Sequence, residues 1–268
     1  MLGGKVGEAA DFKIDGVRFS SGFIGPKGEV DAFTLVKSAD LVAHYERLLE
    51  HARADRIVEL GIAHGGSTAF LALRARPTKL VAIEFESARL AHLDRFIEER
   101  RLGEVLRPYY GVDQGDRDRV GAIVADEFGD EPLDLVFDDA SHRYGPTLAS
   151  FETIFPKLRP GGTYIIEDWT GLHELAAALE RRLAEGESND GRAVAANISD
   201  QLERRGGPET PLSRLVVEFT LVEAAGGAVI DEVCVNPHWI AVRRGAARLP
   251  DSFRLTDHYT DPFGMVRP

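Results

Sequence analysis

Sulfur is scarce in this chain, with one cysteine and two methionines among 268 residues. The lone Cys234 has no internal partner for a disulfide, which fits a reducing compartment. It sits in an apolar run and reads as a core residue. No stretch of about 18 apolar residues is present to span a bilayer. Residues 1–15 mix Gly, Lys, Glu and Asp without the apolar segment a signal peptide needs. These absences predict a cytoplasmic protein with no membrane partner. Positive charge is also short: 32 Lys and Arg stand against 44 Asp and Glu, for a formal net charge of −12. That balance excludes a phosphate backbone, and hence nucleic acid, as the expected partner. Internal repeats and low-complexity tracts are lacking too.

What is present is a long alternation. Residues 1–30 are rich in Gly and contain Pro26, predicting an irregular arm with one short strand around 16–19. Phe33, Val36, Leu41, Tyr45, Leu48 and Leu49 recur at helical spacing, predicting an amphipathic helix from Asp31 to about Arg53. Strands then follow at 56–62, 80–85, 106–112, 133–138 and 163–167, separated by helices at 67–74, 87–101, 117–127 and 147–158, with another helix at 172–184. Such alternation predicts an α/β fold, a doubly wound, mostly parallel sheet covered on both faces, with ligands bound beyond the strand C-termini. The Gly- and Pro-bearing segment 185–211 predicts a mobile loop. Strand candidates at 215–222 and 239–243, with an extra one at 229–235, predict a seven-stranded sheet closed by a C-terminal antiparallel pair. The expected division is an N-terminal arm and helix (1–54), a main domain (55–245) and a tail (246–268). Phe253, Tyr259 and Phe263 in the tail would pack on the domain or on a neighbour in a homo-oligomer.

Residues 57–67 read as strand, Gly-bearing turn and helix start. Glycines let the backbone approach a ligand, and the helix N-terminus offers free N–H groups. Glu84, at the next strand tip, stands where an acid can hold a ribose diol, so a nucleoside-bearing cofactor is expected. The dinucleotide fingerprint G-x-G-x-x-G is broken by Ala63 at its second glycine. Two further strands end in acids, Asp138-Asp139 and Glu167-Asp168. Carboxylates that converge at strand tips repel unless a cation joins them, and oxygen ligands favour a hard ion such as magnesium. His142, three residues past Asp139, would stand beside that ion as a base. Only one of two adjacent strand residues can face the site, so Asp138 reads as structural.

Glu59-x-Gly61-x-x-x-Gly65 resembles the first motif of class I S-adenosylmethionine-dependent methyltransferases. Asp139-Ala140-Ser141-His142, Glu167-Asp168 and Phe151-Glu152-x-x-Phe155-Pro156-x-Leu158-x-Pro160-Gly161-Gly162 resemble the magnesium-dependent O-methyltransferases of macrolide sugars and the related cephalosporin hydroxylase-type proteins. The resemblance covers residues 55–170. It implies a Rossmann-like fold and S-adenosylmethionine as cofactor. Glu59, Gly61, His64, Gly65 and Ser67 would lie along its methionine part, Glu84 on its ribose, Asp113 and Gln114 near its adenine, and Asp139 beside it. It also implies Mg2+, with Mn2+ as an alternative, held by Asp139, Glu167 and Asp168, with His142 as the base. The acceptor it implies is a small-molecule hydroxyl, a glycosyl diol above all. Tyr144 and Trp169 would flank the metal as aromatic walls, and His173 could reach it. A catechol-type O-methyltransferase, a non-catalytic S-adenosylmethionine-binding accessory protein and a nicotinamide dehydrogenase are the rival readings.

Overall fold

The computed structural model describes residues 11–22, 31–171 and 210–260. The helix expected at 172–184, residues 185–209 of the expected loop, His173 and Phe263 lie outside the described residues. Among those described, a seven-stranded sheet has the order β6-β5-β4-β7-β8-β10-β9. Its strands are β4 (Arg56–Leu60), β5 (Lys79–Glu84), β6 (Leu106–Tyr110), β7 (Leu133–Asp138), β8 (Leu158–Glu167), β9 (Ile230–Val235) and β10 (Trp239–Arg244). The first five run parallel, and β10 pairs antiparallel with both β8 and β9. The order reverses between β4 and β7, where chain direction opens a crevice above the strand tips.

Side-chain alternation divides the core into two layers. Val58, Leu60, Val136, Tyr164 and Ile166 pack with Val120 and Ile123 of α4 (Arg117–Phe128), Phe151 of α5 (Tyr144–Ile154) and Phe219 of α6 (Arg214–Ala224). Ile57, Leu135, Phe137 and Ile165 face the opposite way, onto Tyr45 of α1 (Ala39–His51), Phe70 of α2 (Gly66–Arg74) and Phe96 of α3 (Ala91–Glu99). The doubly wound expectation is met.

Three elements depart from the sequence reading. The helix expected from Asp31 is a strand, β3 (Ala32–Leu35), followed by α1. All four β3 residues are buried, so no alternation marks it as a strand, and the break comes at Ser38, whose hydroxyl accepts from Leu41 N at 3.2 Å as the N-cap. The arm holds a hairpin, β1 (Asp11–Ile14) and β2 (Val17–Ser21), rather than one short strand. Its Asp15-Gly16 turn, both residues at positive φ, is the type I′ signal left unread. The strand expected at 215–222 is α6; Leu215, Glu218, Phe219 and Val222 are its buried stripe, a helical period hidden by the acid within it and by flanking β-branched residues. The extra strand expected at 229–235 is β9, which pairs with β10 on the side away from β8 and leaves Cys234 exposed instead of in the core.

Strands β1–β3 form a second small sheet that shares the inner layer of α1 and α2, with Val17, Phe19, Phe33 and Leu35 buried there. Residues of β1–β3 and α1 thus share a core layer with the main sheet. Gly66 makes this possible, because a Cβ there would lie 2.0 Å from the Thr34 carbonyl oxygen.

Candidate cofactor and metal site

A cavity of about 410 Å³ opens above β4, β5, β6 and β7, within the size range of small-molecule sites. Gly61, Ala63, Glu84, Phe85, Asp113, Gln114, Asp139 and Ser141 line it, with Arg143 as a cationic wall residue. Gly61 is required by two conditions: its φ is +93°, and a Cβ would lie 2.2 Å from the Asp139 carbonyl oxygen. The loop therefore lies directly on the β7 tip. Glu84 braces it from the other side, one carboxylate oxygen accepting from Ile62 N and Ala63 N at 2.8 Å each and the other from Glu86 N at 3.0 Å. Ala63 is held at a φ of 47°, a conformation most side chains avoid.

The remaining loop residues separate. Gly65, at a φ of +79°, caps α2. Ser67 stands in its first turn, partly buried. His64 is exposed, and its carbonyl accepts from His92 Nε2 at 2.9 Å. Glu59 is buried under the loop, where it accepts from the Thr68 hydroxyl at 2.6 Å. Burial pushes its carboxyl up to about 7, with hydrogen bonds from Ser67 and Thr68 opposing. Asp113 accepts from Gly115 N at 2.8 Å, closing the turn after β6.

Gln114 is buried and ties the cavity floor together. Its side-chain oxygen accepts from Ser141 N at 2.7 Å, and its Nε2 donates to Asp138 at 3.1 and 3.2 Å. Tyr164 Oη and Ser150 Oγ also donate to Asp138, at 2.8 and 3.0 Å. Burial pushes the Asp138 carboxyl up to about 6 even though these donors lower it. Asp138 is thus the hub of a network under the site, as its position beside Asp139 implied.

Alternation sends Asp139 to the other layer. His142 Nε2 lies 3.7 Å from Asp139 Oδ1. Ligand atoms of Asp139, His142 and Asp168 all lie within 4.8 Å of one another, a spacing that fits one small cation. His142 and Asp168 both occupy the left-handed region, at φ of 53° and 50°, so each loop bends sharply to bring its side chain over the strand tips.

Glu167 goes elsewhere. Asp138 pairs with Ile166 in register, so Asp139 and Glu167 stand abreast on the α1 side. There Lys37, just before α1, donates from Nζ to Asp139 Oδ2 at 2.8 Å and to Glu167 Oε2 at 2.7 Å. Tyr45 Oη donates to Glu167 Oε1. Burial opposes charging Lys37, but the two carboxylates outweigh it and raise its pKa above the ordinary value. Burial also raises Glu167, with Lys37 opposing. Both Glu167 oxygens receive donors, so the hydrogen bonds fit a carboxylate facing an ammonium.

Of the expected metal ligands, then, Asp139 and Asp168 come together with His142, and Glu167 is committed to Lys37 and Tyr45. The two aromatic walls are tied down as well: the Tyr144 hydroxyl donates to Glu218 at 2.8 Å, and Trp169 Nε1 donates to the Asn236 carbonyl at 2.8 Å. Lys37 and Phe85 carry no signal of a site role in the sequence, and Tyr45 reads there only as part of a helical stripe. Lys37 is marked only as a lone lysine closing the apolar run 32–36.

Residues 58–169 match the family described as a methyltransferase domain. A tetracenomycin sugar enzyme of Streptomyces olivaceus, 8-demethyl-8-(2-methoxy-alpha-L-rhamnosyl)-tetracenomycin-C 3'-O-methyltransferase, is 37% identical over 106 residues, covering 36% of this chain and 27% of that protein. L-olivosyl-oleandolide 3-O-methyltransferase of Streptomyces antibioticus is 35% identical over 127 residues, 47% of this chain and 31% of that protein. The matches thus span less than a third of the length of these two relatives. A solved structure of the MycE methyltransferase from the mycinamycin biosynthetic pathway, in complex with Mg and SAH, covers 82% of this chain and 52% of its own at 22% identity and a TM-score of 0.49. The match to a methyltransferase domain is confined to residues 58–169, less than half of the chain.

Proposed function

We propose that the chain is a magnesium-dependent O-methyltransferase that moves the methyl group of S-adenosylmethionine to a hydroxyl of a small glycosylated natural product, a vicinal sugar diol being the best-fitting acceptor. The observation that carries this reading is the meeting of Asp139, His142 and Asp168 within 4.8 Å at the rim of a cavity that Asp139 itself lines together with Gly61 and Glu84. The names of the two relatives, O-methyltransferases of a rhamnosyl-tetracenomycin and of an olivosyl-oleandolide, support the acceptor class.

A sugar hydroxyl is too weak an acid to attack at neutral pH unassisted. Asp139 and Asp168 are the residues that would hold the cation, which when bound stabilises negative charge developing on the acceptor oxygen. His142 Nε2 takes the hydroxyl proton as the oxygen gains the methyl group. Gly61, Glu84 and Phe85 line the cavity and would wall the cofactor, whose sulfonium would supply the methyl group; such positioning would provide much of the remaining rate.

The test is methyl transfer to rhamnosyl or olivosyl acceptors with and without EDTA. Activity should vanish with chelator and return with Mg2+ or Mn2+; full activity in EDTA would remove the metal from this reading. His142→Ala should lower kcat by about 10²–10⁴ while S-adenosylhomocysteine still binds. Unchanged turnover would move the base elsewhere.

A further inference from the structure

We propose that Lys37 is a resident cation of the site, holding Glu167 out of the metal's ligand set and leaving the divalent ion to Asp139 and Asp168, beside the base His142. This deepens the function proposed above and rests on it. Lys37 lies outside the matched span 58–169, so nothing in the family match assigns it a role.

The geometry is closed around the lysine. Its side chain is 3% exposed and that of Glu167 1%, against 27% for Asp139. Nζ bridges Asp139 Oδ2 and Glu167 Oε2 and lies 5.2 Å from the Tyr45 ring centroid. Tyr45 Oη takes the other Glu167 oxygen, and the Tyr45 ring is stacked on Phe137 at 4.7 Å. Both Glu167 oxygens are therefore engaged by donors on the α1 side. Asp139 divides its oxygens, Oδ2 to the lysine and Oδ1 towards His142.

The Lys37 ammonium stands between the Asp139 and Glu167 side chains. Burying Glu167 beside two other acids without Lys37 would leave an uncompensated charge, which is strongly destabilising. The lysine thus settles the apo site and sets how strongly it attracts the metal. It acts as a positioning residue, through Asp139.

Calorimetric titration of Mn2+ into four proteins tests this: wild type, Lys37→Met, Asp168→Asn and the double variant Lys37→Met/Glu167→Gln. The double variant keeps the wild-type net charge and leaves no buried orphan, so it provides a folded comparison if the single lysine variant unfolds. It should bind Mn2+ within about threefold of wild type, and Asp168→Asn should bind at least about tenfold more weakly, one ligand's share of about 1.4 kcal/mol or more. Lys37→Met, if folded, should bind more tightly than wild type, since it adds one negative charge and frees Glu167. A double variant as weak as Asp168→Asn would overturn the inference, because Glu167 would then be a ligand. Mn2+ binding by Lys37→Met but not by wild type would uphold Lys37 as the resident cation while ending the magnesium reading. Binding by neither would overturn both, and S-adenosylhomocysteine binding in the same instrument would show separately whether the cofactor reading survives.

Discussion

Glu59 stands where the resemblance puts a cofactor-side acid, yet it is 2% exposed and accepts from Thr68 on α2. It holds the first turn of the helix against the β4 tip. Its folded-state carboxyl is raised from 4.5 to about 7, chiefly by burial. A raised acid favours folding below its unfolded value of 4.5, and that contribution is lost as pH rises through about 7. Glu59→Gln should therefore flatten the stability profile. Urea denaturation at pH 5.5 and 8.5 should show wild type losing about 1–3 kcal/mol more than the variant across that interval. Equal profiles would mean that Glu59 is not buried as an acid. Asp138 and Asp139 show what single residues disclose: alternation alone assigns the first to the core and the second to the site. The same alternation applies to Glu167 and Asp168, but which of them would face a metal depends on Lys37, the partner of Glu167, and Lys37 lies far from the strand tips in sequence.

At the scale of elements, Gly66 decides more than its place in a cofactor loop would indicate. Glycine in such a loop reads as room for a ligand; here it is room for β3, whose Thr34 carbonyl occupies the position a Cβ would take. Gly66→Ala should push β3 off α2 and carry Lys37 with it, costing about 3 kcal/mol as an overpacking strain. Gly145 in α5 has nothing within 4 Å of a Cβ, and Gly145→Ala should gain about 0.5 kcal/mol by helix propensity. Thermal or urea melts of the two variants check both; a Gly66→Ala protein as stable as wild type would mean that β3 is not seated there. The strongly periodic strands and helices between 56 and 167 were legible because parallel strands are continuous apolar runs bounded by turns. What was not legible lay at the margins. β3 is too short and too fully buried to alternate, and α6 carries Val216, Val217 and Thr220, which favour strands in isolation, while its buried stripe includes the acid Glu218. Tertiary contact settles such segments: Tyr144, Arg214 and Tyr259 all bond Glu218, giving an otherwise misplaced carboxylate its partners.

On the scale of the whole molecule, charge separates the cofactor candidates that the glycine loop leaves open. The chain carries a formal net charge of −12, and Glu84, Asp113 and Asp139 line the cavity with Arg143 as a cationic counterpart. A nicotinamide dinucleotide brings a diphosphate with two negative charges into that field. S-adenosylmethionine brings an ammonium, a carboxylate and a sulfonium, one net positive charge, and its product S-adenosylhomocysteine is neutral overall. Like-charge repulsion in a partly desolvated cleft opposes the dinucleotide, and the loop offers no second glycine for a pyrophosphate to approach, Ala63 standing there at positive φ. S-adenosylhomocysteine at about one hundred times its Kd should stabilise the fold by about 2.7 kcal/mol, which for a protein of this size is a rise in Tm of roughly 5–10 °C. NAD at the same concentration should leave the melt unchanged. If the acids that line the cavity attract S-adenosylmethionine, its affinity should fall as salt shortens the Debye length to about 3 Å near 1 M, while that of the neutral product should fall less. An NAD-induced shift as large as that of S-adenosylhomocysteine would show that the cavity recognises adenosine alone, and the charge lining it would then have no part in choosing the cofactor.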